Sequence, residues 1–260
     1  MFKGNNRLNV WLVSIICAAF GIAYLELSFK DLVPHSGGVN IFKEFALAGL
    51  SPKGEMIDLV TAIGSTLKYA IAAISLSFVL GLPLGVLASH SFWRDKGQFA
   101  RLLRWFLRST IALLRSIHEL LWAVFFLAAI GLSPLSAVIS IAIPYAGILA
   151  KVFADIIDES SRVPEDALTA IGASRWQRFF YARLPQAIPD ILSYSFYRFE
   201  CALRSSAILG FFGFPTIGYA IKIEFDNLNY SVVWANLYAL FLVIILLEIY
   251  SVYLRRRLVS

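Results

Sequence analysis

The sequence predicts an all-α, polytopic membrane protein with about six transmembrane helices, and two observations carry that prediction. The first is composition: 59% of the residues are hydrophobic and 15% charged, against roughly a quarter charged in ordinary soluble domains. The second is distribution, because the apolar residues gather in blocks that approach or exceed the ~20 residues needed to cross a bilayer core. A formal charge of +6 therefore bears on topology, through where Lys and Arg fall around the spans, and says little about nucleic acid. Cys17 and Cys201 lie far apart inside apolar segments. They read as small buried hydrophobes, so no disulfide framework or metal site is expected.

The first apolar run, Val10 to Phe29, follows Lys3 and Arg7. It exceeds the ~7–15-residue core of a signal peptide and lacks a small-x-small cleavage site, so a retained helix is expected. Residues Lys30 to Asp58 contain Pro34, Gly37, Gly38, Pro52 and Gly54. They read as an outer loop with a short interfacial helix around Ile41 to Leu47. The second span covers Ile63 to Ser89, with Lys68 snorkelling near its outer end. Its G-L-P-L-G at Gly81 to Gly85 predicts a kink. In His90 to Arg108, residues Phe99, Leu102, Leu103, Phe106 and Leu107 follow one helix face while Arg101, Arg104 and Arg108 cluster opposite. That pattern predicts a basic amphipathic helix at the membrane surface.

The third span is expected over Ile117 to Leu132, ending in a G-L-S-P turn, and the fourth over Ala137 to Ile157 with a break at Pro144. The fifth begins after Pro185, is interrupted at Pro189 and reaches Phe212; Gly213 to Tyr230 follows as an outer segment. The sixth, Val232 to Tyr253, ends at Arg255, Arg256 and Arg257. The chain thus divides into a first helix and loop (1–58), a five-helix core (59–254) and a basic tail (255–260). Inner segments would hold Lys3, Arg7, Arg94, Lys96, Arg101, Arg104, Arg108, Arg162, Arg175, Arg178, Arg183 and the terminal arginines; outer ones hold Lys30, Lys43, Lys53 and Lys222. The bias places both termini in the cytoplasm. No inverted repeat supports a secondary transporter.

Catalytic constellations are missing from the sequence. There is no H-x-x-x-H, no G-x-S-x-G and no paired acidic motif within a span, so no catalytic or metal residues are assigned. The fifth span, however, carries Arg198, Glu200 and Arg204 among Tyr194, Ser195, Tyr197, Ser205 and Ser206. Charges there should face the bundle interior or water. Glu200 and Arg204, spaced i, i+4, either neutralise each other or line a translocation path in which an arginine favours an anion. Arg115 and Glu119 form a similar i, i+4 pair, expected at the inner end of the third span.

Between the fourth and fifth spans, Pro164 to Pro185 reads P-E-D-A-L-T-A-I-G-A-S-R-W-Q-R-F-F-Y-A-R-L-P. Pro164 suits a first helical turn, Glu165 and Asp166 complement its dipole, and Gly172 permits a sharp change of direction. The stretch resembles the EAA loop of ABC-importer permeases, E-A-A-x3-G-x9-I-x-L-P. Ala167, Gly172, Leu184 and Pro185 match at full spacing, with Asp166 in place of the Glu, Leu168 in place of the second Ala and Ala182 in place of the Ile. Arg115 to Pro134 and Leu203 to Gly213 look like phosphonate-transport permeases, which typically have Pro where this chain has His118 and G-A-G-G-I-G where it reads G-F-P-T-I-G from Gly213 to Gly218.

The resemblance covers roughly residues 60 to 250. It implies a type I ABC importer permease fold and a transport subunit that is not itself an enzyme. Its partners would be a second copy of the permease (a homodimer) or a paralogous permease, a pair of cytoplasmic ATPases, and an extracytoplasmic solute-binding protein. ATP and Mg would be bound by the ATPase, since no G-x-x-x-x-G-K-[ST] is present here. Loop 160–185 would couple to that ATPase through Glu165, Asp166, Ala167, Gly172, Ala173, Arg175, Leu184 and Pro185. The solute would be a phosphonate, phosphite or phosphate ester, passing Tyr194, Arg198, Glu200, Arg204, Ser205 and Ser206. A sibling importer for methionine, betaine or another solute is the near alternative, and a channel or secondary transporter the distant one.

Overall fold

The computed structural model describes residues 5–24, 36–93 and 97–259. Every regular element among them is helical, and they fall into two compact units, Met1–Leu50 and Ser51–Ser260. The first unit holds α1 (Asn5–Tyr24) and α2 (Ser36–Ala48). Helix α1 exposes Trp11, Ile16 and Phe20, as a lipid-facing helix does. The remainder of the expected first span, 25–29, lies outside the described residues. Helix α2 contains the short helix expected around Ile41 to Leu47.

The second unit is built around α3 (Met56–Ala88) and α6 (Pro134–Glu159). Helix α3 is 33 residues long, or ~50 Å at 1.5 Å per residue, enough to cross a ~30 Å hydrocarbon core with a tilt. Its glycines do not break it. A Cβ on Gly85 would lie 2.8 Å from the Phe153 Cβ and 2.9 Å from the Ala150 carbonyl oxygen, and one on Gly81 2.9 Å from the Leu149 Cβ. The two positions let the α3 and α6 backbones approach, which is how membrane helices associate when lipid is as apolar as their side chains. The Ser77 hydroxyl spans the same contact, 3.2 Å from the Ala142 carbonyl oxygen.

Helix α6 starts with a capping box between Ser133 and Ser136 and with Pro134 in its first turn. It continues through Pro144, where the sequence predicts a break; Pro144 is fully buried and α3, α5 and α9 enclose the helix. Helices α4 (Gln98–Ser116) and α5 (Glu119–Ile130) precede it, joined at an 85° bend. This corrects the expected third span: α5 has 12 residues, ~18 Å of helix, too short to cross alone. The amphipathic helix instead extends to Ser116, and only the two bent helices taken together are long and apolar enough for a span.

After α6 come α7 (Val163–Ala170) and α8 (Arg175–Arg178), then a π-helical turn over Phe179–Arg183 leading into α9 (Leu184–Leu209). Pro185 has no N–H for the Tyr181 carbonyl and its ring would crowd it, and the widened turn accommodates that mismatch. Pro189 does not interrupt α9. Helix α10 (Ile217–Asp226) folds onto the end of α9, and α11 (Tyr230–Val259) closes the unit. A Cβ on Gly218 would fall 1.9 Å from the Ala207 carbonyl oxygen, so α10 can dock only with glycine there. Thr66 of α3 ties this end together: its hydroxyl accepts from the Ile217 N–H at 2.9 Å, and its carbonyl accepts from the Ser206 hydroxyl at 2.9 Å.

Among the described residues α3, α6 and α11 are long and apolar enough to cross a membrane, and five spans result if each bent pair counts as one. Replacing Gly85 by Leu is expected to lower the melting temperature of the detergent-solubilised protein, with overpacking of ~1–3 kcal/mol or more. Gly64→Leu, on the same helix with open space at its Cβ, should melt near wild type.

Candidate functional site

Two places in the second unit concentrate polar chemistry. The first is the segment between α6 and α9. Pro164 lies in the first turn of α7 with Glu165 and Asp166, acids at the positive end of the helix dipole. The helix stops in a Schellman arrangement: the Ala173 N–H donates to the Leu168 carbonyl at 3.0 Å and the Gly172 N–H to the Thr169 carbonyl at 3.0 Å. Gly172 takes φ +78°, a left-handed conformation that glycine adopts without strain. A second capping box restarts the chain, with the Ser174 hydroxyl 3.4 Å from the Gln177 backbone nitrogen and the Gln177 side-chain Oε1 2.7 Å from the Ser174 backbone nitrogen.

Arg183 locks the segment to the bundle. It is 2% exposed, yet its Nε and Nη2 donate to Glu165 Oε2 at 3.1 and 2.6 Å. Its Nη1 donates to the carbonyls of Ile157 and Ser160 at 3.3 and 3.0 Å. Those carbonyls end α6 and have no intrahelical donors, so a cation there satisfies them and the negative helix end together. Arg175 adds a second tie, donating to the Phe92 carbonyl at 2.7 Å. The Phe92 ring stands edge-on to Trp93, Trp176 and Phe179 at 5.2–5.4 Å. Asp158 accepts from the His90 and Ser91 N–H groups at 2.8 Å each.

Of the residues singled out in the sequence, Glu165 and Arg175 are therefore turned inward as holders. Leu184 is half-buried, and Pro185 is exposed at the start of α9. Asp166, Ala167 and Gly172 are exposed, and Ala173 joins Leu168, Ile171 and Tyr181 around a hollow of about 390 Å³. Ile171 and Tyr181 are 78% and 77% exposed, so the tip of a polar segment carries an apolar surface. The sequence reading missed the holding role of Arg183. It also passed over the Ser174–Gln177 box, whose S-x-x-Q spacing could have revealed it.

The second place lies inside the bundle. The Ser205 hydroxyl is 2.9 Å from both Glu119 Oε1 and the Tyr145 hydroxyl. Ser205 donates its one proton to Glu119, which leaves Tyr145 to donate to Ser205. The expected Arg115–Glu119 pair does not form. Ile117 and His118 interrupt the helix between them, His118 caps α5, and Glu119 turns inward while Arg115 is exposed. Two turns away from Ser205, the Arg198 guanidinium lies 5.4, 5.5 and 5.9 Å from the rings of Tyr145, Tyr194 and Tyr197, and its Nε donates to the Tyr194 hydroxyl at 3.0 Å. No carboxylate among the described residues pairs with it, so cation–π contacts stabilise its charge. Glu200 is buried and Arg204 exposed, and the two form no ion pair although they are spaced i, i+4 on α9; Ser206 is spent on Thr66.

Residues 81–260 match the family described as binding-protein-dependent transport system inner membrane component. The chain belongs to that family. It is 33% identical over 203 residues, 78% of its length, to a phosphate-import permease protein of Mycolicibacterium smegmatis, of which it covers 37%. It is 28% identical over 193 residues to a phosphite transport system permease protein of Stutzerimonas stutzeri, covering 74% of this chain and 68% of that one. The chain thus spans little more than a third of the mycobacterial relative. A solved chain of the MetNI methionine ABC transporter, in an inward-facing conformation, superposes with a TM-score of 0.67 at 22% identity, covering 78% of this chain and 97% of that one. The family member described here is therefore a multi-pass inner-membrane protein with the fold of an ABC-importer membrane subunit.

Removing one partner of a buried ion pair costs ~3–5 kcal/mol. Arg183→Ala is accordingly expected to raise amide hydrogen exchange across residues 160–183, by mass spectrometry in detergent, while the centre of α6 keeps its protection.

Proposed function

We propose that the chain is the membrane-spanning permease subunit of an ATP-driven importer that carries a phosphonate or a related phosphorus oxyanion. The observation that carries this reading is the segment Val163–Arg183. It is a short acid-headed helix with a glycine stop and a capped restart, pinned at its base by Arg183 and Arg175 and open at its tip around Ile171 and Tyr181. A rigid base with an apolar tip suits docking to a soluble protein. The partner assigned is a cytoplasmic ATPase on a separate chain, which would bind ATP and Mg, because this sequence has no phosphate-cradling G-x-x-x-x-G-K-[ST].

In this reading Asp166, Ala167, Gly172 and Ala173 meet the ATPase, while Glu165, Arg175, Leu184 and Pro185 set the angle at which they do so. This end of the bundle, like both termini, then lies in the cytoplasm. A second copy or a paralogous permease completes the pathway, and an external binding protein delivers the solute. The names of the phosphate- and phosphite-transport relatives support an oxyanion. So does Arg198, an intramembrane cation held by aromatic rings instead of an acid, with Tyr194, Ser205 and the exposed Arg204 nearby along α9. Glu200 and Ser206 support that wall from its buried side.

In cells that supply the ATPase and binding protein, energy-dependent phosphite or phosphonate accumulation is the expected activity. Gly172→Pro and Asp166→Arg should leave membrane insertion intact and reduce accumulation at least tenfold; normal uptake with normal ATPase association would overturn the coupling role. A charge-assisted hydrogen bond is worth ~1.5–3 kcal/mol, so Arg198→Ala or Arg204→Ala should weaken oxyanion uptake by about tenfold or more. Unchanged transport kinetics in both variants would remove these arginines from the path.

A further inference from the structure

Where α4 crosses α6, at the end of the bundle that carries α7, a cavity of about 180 Å³ opens between the helices. Its volume is an order of magnitude above the ~10–15 Å³ that one water requires. Arg108 and Arg115 line it from α4, and Lys151 and Asp155 from α6. The two arginines are seven residues apart, which at ~100° per residue puts them ~20° apart on one stripe of α4. The crossing is close, since a Cβ on Gly147 would lie 3.1 Å from the Leu114 Cβ and 3.4 Å from the Arg115 backbone nitrogen. The cavity therefore lies between α4 and α6, which cannot slide apart without losing backbone contact, with Ala88 of α3 completing its lining.

The charges do not balance. Lys151 pairs with Asp155 at 2.5 Å, and Arg108 divides itself between Asp158 at 3.2 Å and the Ala88 carbonyl at 3.0 Å. Arg115 has no hydrogen-bond or ion-pair partner among the described residues. Three cations thus meet two carboxylates, Asp155 and Asp158, both already engaged, and Arg115 is the cation left over. A cation at the edge of a bilayer is stabilised when it meets an anion or reaches the headgroups. A guanidinium fork matches the oxygens of a phosphate group in a bidentate way, with a lysine beside it as a point charge.

Apolar surface adjoins the charges. Ile111 and Ala154 form part of the lining, and one turn before Arg108 on α4, on the neighbouring face, Trp105 is 67% exposed. A free anion has no use for that surface, whereas an amphiphile with a phosphate at one end and acyl chains at the other covers both. Basic pockets between membrane helices capture anionic headgroups on these terms.

We propose that this cavity is a phosphate-group site filled by the headgroup of an anionic phospholipid, with Arg115 as its principal contact and Arg108 and Lys151 beside it. The site is separate from Arg198 and from the segment Val163–Arg183, and it does not rest on the transport reading. The test uses the full chain in a neutral detergent, titrated with phosphatidylglycerol, phosphatidylcholine or inorganic phosphate, with retained lipid counted by native mass spectrometry. Phosphatidylglycerol should be retained in preference to phosphatidylcholine. Arg115→Ala should weaken its binding roughly tenfold, the loss of one charge-assisted contact, and Arg115→Lys should restore part of it. Arg101→Ala, on α4 but outside the cavity, should bind as wild type. Equal retention by Arg115→Ala and wild type, or an equal loss in Arg101→Ala, would overturn the site. Displacement of the lipid by millimolar inorganic phosphate would overturn the lipid as its occupant.

Discussion

Arg183 is the joint from which the polar end of this protein is organised. A helix that ends near a bilayer leaves carbonyls without water to satisfy them, and the end of α6 meets this by accepting from one buried guanidinium. The same group binds Glu165 in the first turn of α7 and stands immediately before α9. One side chain thereby sets the exit of one spanning helix, the direction of the next short helix and the entry of another spanning helix. The acid at the head of α7 serves that joint, which leaves the glycine stop and the hydrophobic tip as the parts free to meet something else.

The interior follows the same rule with different groups. Glu119 faces into the bundle because the chain breaks at Ile117 and His118, and there it accepts from Ser205, which accepts in turn from Tyr145. Each donor has one recipient, so the carboxylate is held by a directed chain of hydroxyls. Arg198 uses tyrosine rings where a carboxylate would have neutralised it. A cation kept this way remains available to an anion, which is the physical content of the oxyanion reading.

Packing between the helices asks for smallness more than for particular side chains. Gly81, Gly85, Gly147 and Gly218 all lie where a Cβ would meet a neighbouring backbone or Cβ atom at 3.3 Å or less. Such contacts depend on helical geometry and on the lack of bulk. A solved chain sharing 22% of its residues can therefore hold the same fold.

The sequence by itself determined the helical membrane class, most of the span positions and the punctuation of the segment after α6. Those are local matters: an apolar block, a proline in a first turn, a glycine that alone accepts φ +78°, each readable within a few residues. It went astray where a rule of spacing assumed a continuous helix, as with Arg115 and Glu119, or where proline was taken to break one, as at Pro144 and Pro189. Only the tertiary structure decided that Arg183 reaches carbonyls 23 to 26 residues back and that Ser205 meets Glu119, 86 residues away. Such partners are chosen by which helix faces pack together, and in a bundle of uniformly apolar helices the sequence of any one helix does not say which face that is.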